Sequence, residues 1–229
     1  MELKALIFDV DGTLAETEEA HRAAFNAVFA RHGLGWNWSM HDYRELLKTT
    51  GGKERMRAHQ ANLPPAARRL SNDEIAALHK EKTAIYGEIL AQGKLALRPG
   101  VNALISAGRA AGLKIAVATT TNLPNVEALS QCCWGCAAGE IFDVVAAGDQ
   151  VKAKKPAPDV FELALERLGL APEQCIAFED SLNGVHSAKG AGLRVVVTPS
   201  VYTDDQDFSM VELVVPSLEG LKIDRLASL

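Results

Sequence analysis

The run Leu6-Ile7-Phe8-Asp9-Val10-Asp11-Gly12-Thr13-Leu14 decides how this chain is read. Leu6-Ile7-Phe8 is a short apolar segment of the kind that forms a buried strand in a parallel sheet. It ends in two carboxylates. Asp9 and Asp11 are two residues apart, so on an extended chain both face the same side. Gly12 and Thr13 then turn the chain. Carboxylates buried at a strand end are unfavourable unless something offsets their charge. The remaining sequence must supply that compensation.

Further short runs with β-branched residues, bounded by Gly, Pro, Asp or Asn, occur at Lys114–Ala118, Asp143–Ala146, Cys175–Phe178, Arg194–Thr198 and Leu213–Val215. Helical patterns separate them. Pro99–Ala111 opens with Pro-Gly, and Pro158–Leu168 carries Val160, Phe161, Leu163, Ala164 and Leu168 on one face before stopping at Gly169. Strands alternating with helices predict an α/β fold built on a parallel sheet.

One stretch departs from the alternation. Residues 15–92 contain helical signals and no strand pattern. Phe25, Val28 and Phe29 recur at helical spacing up to His32-Gly33. Ser71 and Glu74 form a capping box ahead of Ile75, Leu78, Ile85 and Ile89, which lead to Gly93. The expected organisation is therefore a core of residues 1–14 and 93–229 with an all-helical insertion at 15–92, hinged near Ala15 and Gly93. In open α/β sheets ligands bind beyond the carboxyl ends of the strands. The insertion leaves from that edge, so it is expected to cover the site as a cap.

Other strand ends supply chemistry that fits the two aspartates. Thr119-Thr120-Thr121-Asn122 follows one strand, and hydroxyls and free N–H groups there suit phosphate oxygens or cap the next helix. Lys152-Ala153-Lys154-Lys155-Pro156 precedes a helix, with Pro156 fixing the backbone beside Lys155. Glu179-Asp180-Ser181 ends another apolar strand. Asp9, Glu179 and Asp180 are hard oxygen ligands of the kind Mg²⁺ prefers. A carboxylate can attack phosphorus to form an aspartyl-phosphate. Anion attacking anion needs positive charge, which Mg²⁺ and Lys155 would provide, with the Thr119 hydroxyl and neighbouring N–H groups on the transferring oxygens. Asp9, on the strand, is the expected nucleophile. Asp11, on the turn, is the expected acid and base.

Composition narrows the class. Lys and Arg number 24 against 29 Asp and Glu, a net charge of −5, which argues against nucleic acid as a partner. No run approaches the roughly eighteen apolar residues of a membrane span. The chain begins without a signal-peptide pattern, so a soluble cytoplasmic monomer is expected. Cys133 and Cys136 form a CxxC beside Cys132, with no second pair or nearby His to complete a metal site, which favours a structural role.

Taken together, DVDGT, the ATTTN strand end, KKP and FEDS resemble the haloacid dehalogenase superfamily of phosphotransferases, in its order and over nearly the whole chain. The resemblance implies a Rossmann-like core with a helical cap, Mg²⁺ as cofactor, Asp9 as nucleophile, Asp11 as general acid/base, and the Asp11 carbonyl as a further metal ligand. The dehalogenases that name the superfamily lack the second aspartate, so dehalogenation is not expected. The segments GTLAETEEAHRAAF and LLKTTGGKER resemble CbbY-type sugar-phosphate phosphatases, whose members act on xylulose-1,5-bisphosphate. This implies a small phosphorylated sugar as substrate, with Glu16, His21, Lys53, Arg55, Thr120 and Asn122 facing it. Gly51-Gly52 would let backbone approach the ligand, and Lys53 and Arg55 would hold a second phosphate. A phosphomutase of the same superfamily is the alternative. A phospho-acceptor signalling domain is more remote, because such domains are shorter and lack a helical insertion.

Overall fold

The computed structural model describes residues 2–229; Met1, the first residue of the expected core, lies outside them. Six parallel strands form one sheet in the order β3-β2-β1-β4-β5-β6. They are β1 (Ala5–Phe8), β2 (Lys114–Ala118), β3 (Val144–Ala146), β4 (Cys175–Glu179), β5 (Arg194–Val197) and β6 (Leu213–Val214). Each expected strand is present within a residue or two of its expected bounds. The central strand β1 pairs Leu6 with Ile115 on one side and with Ile176 on the other. All four of its residues are buried, as befits a strand covered on both faces.

Side-chain alternation divides the sheet between two apolar clusters. Leu6, Phe8, Ile115, Val117, Ile176 and Phe178 face one side, with Phe8 stacked on Phe178 at 4.6 Å. Ala5, Ile7, Ala116, Ala118, Ala177 and Val195 face the other. Small residues on this second face let α8 (Asp159–Leu168) and α9 (Leu182–Gly190) pack closely. Helices α5 (Val101–Ala110), α6 (Leu123–Trp134), α7 (Ala138–Ile141) and α10 (Ile223–Ala227) complete the layers around the sheet.

Between β1 and α5 the chain forms α1 (Glu18–Arg31), α2 (Met40–Leu47), α3 (Gly52–Ala61) and α4 (Asn72–Ala91), with no strand. The Ser71–Glu74 capping box opens α4, and a second box, Ser39–Asp42, opens α2. Phe25, Val28 and Phe29 are buried with Trp38 and Tyr43. On α4 the buried stripe runs through Ile75, Leu78, Lys82, Ile85, Tyr86 and Leu90, while Ile89 is only partly covered. The two segments joining these helices to the sheet meet at an antiparallel bridge between Ala15 and Leu97, so the return crossing lies a few residues beyond Gly93. Gly52 to Arg55 form the first turn of α3 rather than a loop, with Gly51 at φ 98° just before it. No helix among the described residues is long and apolar enough to cross a membrane.

Candidate active site

Strand order reverses beside β1, which lies between β2 and β4, and the carboxyl ends of these strands open into one crevice. A cavity of about 840 Å³ sits there. The strand ends contribute Asp9, Asp11, Thr120, Asn122, Lys155 and Asp180 to its walls, and the inserted helices contribute Glu18, His21, Lys53, Arg55 and Lys82.

Lys155 ties the floor together. Its Nζ donates to Asp9 Oδ1 and Glu179 Oε1, both at 2.6 Å, and to the Ala118 carbonyl at 2.9 Å. Burial alone would lower the pKa of this amine, but the Asp9 and Glu179 carboxylates outweigh it and raise it, so Lys155 stays charged. Asp9 is 6 % exposed. Burial, with Glu179 and Asp11 nearby, pushes its pKa up to about 8 against the pull of Lys155. Asp180 is driven well above the usual carboxylate range by burial and by the charges of Glu179 and Asp9.

Asp9, Glu179 and Asp180 bring ligand oxygens within 4.8 Å of one another. Three buried carboxyl groups against one lysine cannot all ionise without a further cation, and their all-oxygen donor set fits a hard divalent cation. Two glycines let these acids pack so closely. Gly12 adopts φ 85°, and a side-chain carbon there would overlap the Asp180 carboxylate. A methyl at Gly184 would overlap the carboxylate of Glu179.

Asp11 faces the inserted helices. Thr17 Oγ1 donates to Asp11 Oδ1 at 2.5 Å, and His21 Nε2 lies 3.0 Å from the same oxygen. Lys82 Nζ reaches His21 Nδ1 at 2.6 Å, so with the amine donating, the imidazole carries its proton on Nε2 and donates that N–H in a hydrogen bond to Asp11. His21 also stacks on Tyr86 at 3.9 Å. Burial alone would raise the Asp11 pKa. His21, Thr17 and Lys82 reverse that and bring it down to about 2, so Asp11 is a carboxylate in this arrangement.

The expected site residues divide into those brought to the cavity and those held behind it. Asp9, Asp11, His21, Lys53, Arg55, Thr120, Asn122, Lys155 and Asp180 line it. Asn122 also caps α6, its side chain accepting from Asn125 N at 3.0 Å. Thr119 is buried, and its hydroxyl accepts from Thr121 N at 3.2 Å rather than facing the cavity. Glu179 lies beneath the floor, held by Lys155 and by its own chain at Asp180 N. Glu16 turns away from the cavity and pairs with Arg98 at 3.2 Å; Glu18, two residues further on, takes the wall position. Arg55 is braced as well as facing inward. It donates to the Tyr43 hydroxyl at 2.8 Å and to the Leu46 carbonyl at 3.2 Å, and the Tyr43 hydroxyl donates to Glu18 at 2.8 Å.

Thr17, Lys82, Arg98 and Tyr43 were not legible as site residues. Lys82 alone leaves a sequence signal, a charge within the apolar stripe between Leu78 and Ile85. The CxxC region makes packing contacts: Cys132 and Cys133 lie against the Leu95 carbonyl at 3.7 and 3.8 Å. Burial and the adjacent Cys132 push the Cys133 thiol up to about 12, which keeps it protonated and inert at neutral pH.

A parallel α/β sheet whose strand ends converge two aspartates, a lysine and an acid pair under a wall of helices gathers the charged groups that phosphoryl transfer requires. The family model described as haloacid dehalogenase-like hydrolase matches residues 3–192. Protein CbbY of Rhodobacter capsulatus is 57 % identical over 220 residues, covering 96 % of each chain. Crystal structures of CbbY from Rhodobacter sphaeroides, one with phosphate and one of a mutant with xylulose-1,5-bisphosphate, are 50 % identical, cover 96 % of each chain and superpose with a TM-score of 0.91. The chain belongs to the haloacid dehalogenase-like hydrolase family.

Proposed function

We propose that this protein is a Mg²⁺-dependent phosphatase that hydrolyses a sugar bisphosphate of the xylulose-1,5-bisphosphate type, with residues 15–92 acting as a cap over the site. The observation that carries the reading is the pairing of Asp9 with Lys155 on the floor of a cavity to which the inserted helices contribute Lys53 and Arg55. Such a cavity suits a ligand with anionic groups at both ends. The likeness to CbbY bound to xylulose-1,5-bisphosphate supports the choice of sugar.

Asp9 is the nucleophile. Its carboxylate oxygen attacks phosphorus, the bond from phosphorus to the ester oxygen breaks, and the leaving oxygen takes a proton from Asp11. Water then attacks the phosphorus of the aspartyl-phosphate, gives a proton to Asp11, and Asp9 and inorganic phosphate are released. Lys155 keeps the Asp9 oxygen oriented and reduces the repulsion between nucleophile and phosphate. Thr120 and Asn122 line the cavity, which supports a role for them on the transferring oxygens. Asp9, Glu179 and Asp180 would hold Mg²⁺, which supplies charge neutralisation for the phosphoryl group.

Asp11 has a second task set by its partners. Bound to Thr17 and His21 it holds no proton, so it acts as an acid only after leaving them and taking up a proton, which solvent supplies or the attacking water of the preceding turnover has left on it. Thr17, His21 and Lys82 belong to the insertion and its entry, so its closure and the placement of Asp11 are linked.

The test compares kcat/KM on xylulose-1,5-bisphosphate with that on a small monophosphate ester for wild type, Lys53→Ala and Arg55→Ala, with Mg²⁺ present and inorganic phosphate as the readout. Loss of a charge-assisted contact lowers use of the bisphosphate by about 10- to 100-fold and leaves the small ester little changed. Equal falls on both would place these residues in the scaffold. Isomerised sugar phosphate in place of inorganic phosphate would identify a mutase.

A further inference from the structure

We propose that Arg98 is a positioning residue for phosphoryl transfer: one guanidinium clamps the turn that carries Asp11 to the loop that backs Asp180. Arg98 stands at the return crossing from the inserted helices. Its side chain is about one-tenth exposed, and its backbone N–H donates to the Leu14 carbonyl at 2.8 Å. Nη1 donates to the carbonyls of Gly12 and of Thr198, the latter at 2.7 Å. Nη2 donates to the Pro199 carbonyl at 2.7 Å, and Nε lies 3.2 Å from Glu16 Oε1.

These four acceptors come from three parts of the chain. Gly12 directly follows Asp11, and its backbone rests against the Asp180 carboxylate. Thr198 and Pro199 lead out of β5 into Ser200. The Ser200 hydroxyl lies 3.0 Å from Thr203 Oγ1, which donates to Asp180 Oδ2 at 3.4 Å. Glu16 lies in the entry to the insertion, just after Ala15. Three carbonyl oxygens and a carboxylate converging beside an acidic centre would repel one another without a cation among them. A planar fork with several fixed donors suits this task, whereas an ammonium presents a compact charge. Arg98 does not line the cavity, so it acts through the two loops and not on the substrate.

The inference rests on Asp11 acting as the acid. Freed from its clamp, the Gly12 turn shifts, and a displacement near 1 Å is enough to misplace a proton donor. An ester with a poor leaving group suffers most, because it depends on protonation. A nitrophenyl ester needs little.

The experiment measures kcat/KM, which reports aspartyl-phosphate formation, for Arg98→Met and Arg98→Lys on xylulose-1,5-bisphosphate and on 4-nitrophenyl phosphate. It does so in the full chain with Mg²⁺, with Asp11 intact and in the Asp11→Asn background. The ratio of the two substrates within one preparation is independent of the fraction folded. Where Arg98→Met does not fold, Arg98→Lys, which keeps stem and charge, carries the comparison. Arg98→Met is expected to lose about 10²-fold on the sugar ester and only a few-fold on the nitrophenyl ester. Arg98→Lys is expected to keep most of that selective loss, and the selectivity should vanish in the Asp11→Asn background. Equal falls on both substrates, or full recovery in Arg98→Lys, would overturn the positioning role. If Asp11→Asn alone shows no leaving-group selectivity, the acid assignment fails, and the proposal falls with it.

Discussion

Replacing Lys82 by Met is expected to stabilise the protein while impairing the enzyme. Lys82 occupies the buried stripe of α4 at 3 % exposure. Its amine meets His21 Nδ1 at 2.6 Å and lies over the rings of Phe25 and Tyr86, at 4.6 and 5.0 Å from their centroids. Burial lowers its pKa from 10.5 to about 7, against the opposing pull of Glu18 and Asp11. At about 1.4 kcal/mol per pKa unit, that shift corresponds to about 5 kcal/mol against the charged form. The folded protein therefore binds fewer protons than the unfolded chain between pH 7 and 10.5. The penalty is in full force below about pH 7 and fades as pH rises towards the unfolded value. Met fills a similar volume without charge, and replacing buried ions by apolar groups gains about 1–4 kcal/mol. Subtracting about 1 kcal/mol for the lost bond to His21 leaves a net gain near 2 kcal/mol. In a chain of this size that raises the midpoint by about 4–8 °C. Turnover should fall, because His21 loses the contact that keeps its Nε2 proton directed at Asp11. Melting followed by circular dichroism at about pH 7 and about pH 10, beside phosphate-release assays, checks both halves. A variant no more stable than wild type at neutral pH, or a stability gap that fails to narrow at high pH, would refute the reasoning.

Four further outcomes are expected. Asp9→Asn removes the attacking anion and should lower turnover by several orders of magnitude, so wild-type rates in pure protein would exclude Asp9 as nucleophile. Asp9, pushed up to about 8, and Asp180 hold protons that Mg²⁺ must displace, so metal affinity should rise with pH through that region. Without metal, the same raised pKa makes the folded state less stable as pH climbs from the ordinary carboxylate range to about 8. Calorimetric titration in buffers of different ionisation heat reads the released protons, and a buffer-independent heat would contradict the coupling. Gly184→Ala adds a methyl where Glu179 packs and should cost about 1–3 kcal/mol despite better helix propensity, with weaker Mg²⁺ binding. An alanine variant of raised stability would show that the Glu179 carboxylate has room to move.

The parallel sheet and the gathering of charged residues at its edge were legible in the chain alone. Each depends on short-range facts: apolar runs of strand length, turn residues after them, and a parallel topology that sends strand ends to one side. Asp9, Asp11, Lys155 and Asp180 could thus be assigned to one crevice before any distance was known. The Ser71–Glu74 box was equally local. Side-chain direction was not. Glu16 pairs with Arg98 instead of facing the cavity, and Thr119 turns its hydroxyl to its own loop. Only the packing of α4 against α1 sets Lys82 on His21 and His21 on Asp11, across 61 and 10 residues of sequence. Arg98 collects carbonyls from loops 86, 100 and 101 residues away. Periodicity and turn chemistry are properties of neighbours along the chain. Charge partners across elements depend on distances that exist only once the helices have packed, and burial then decides how strongly each pair interacts.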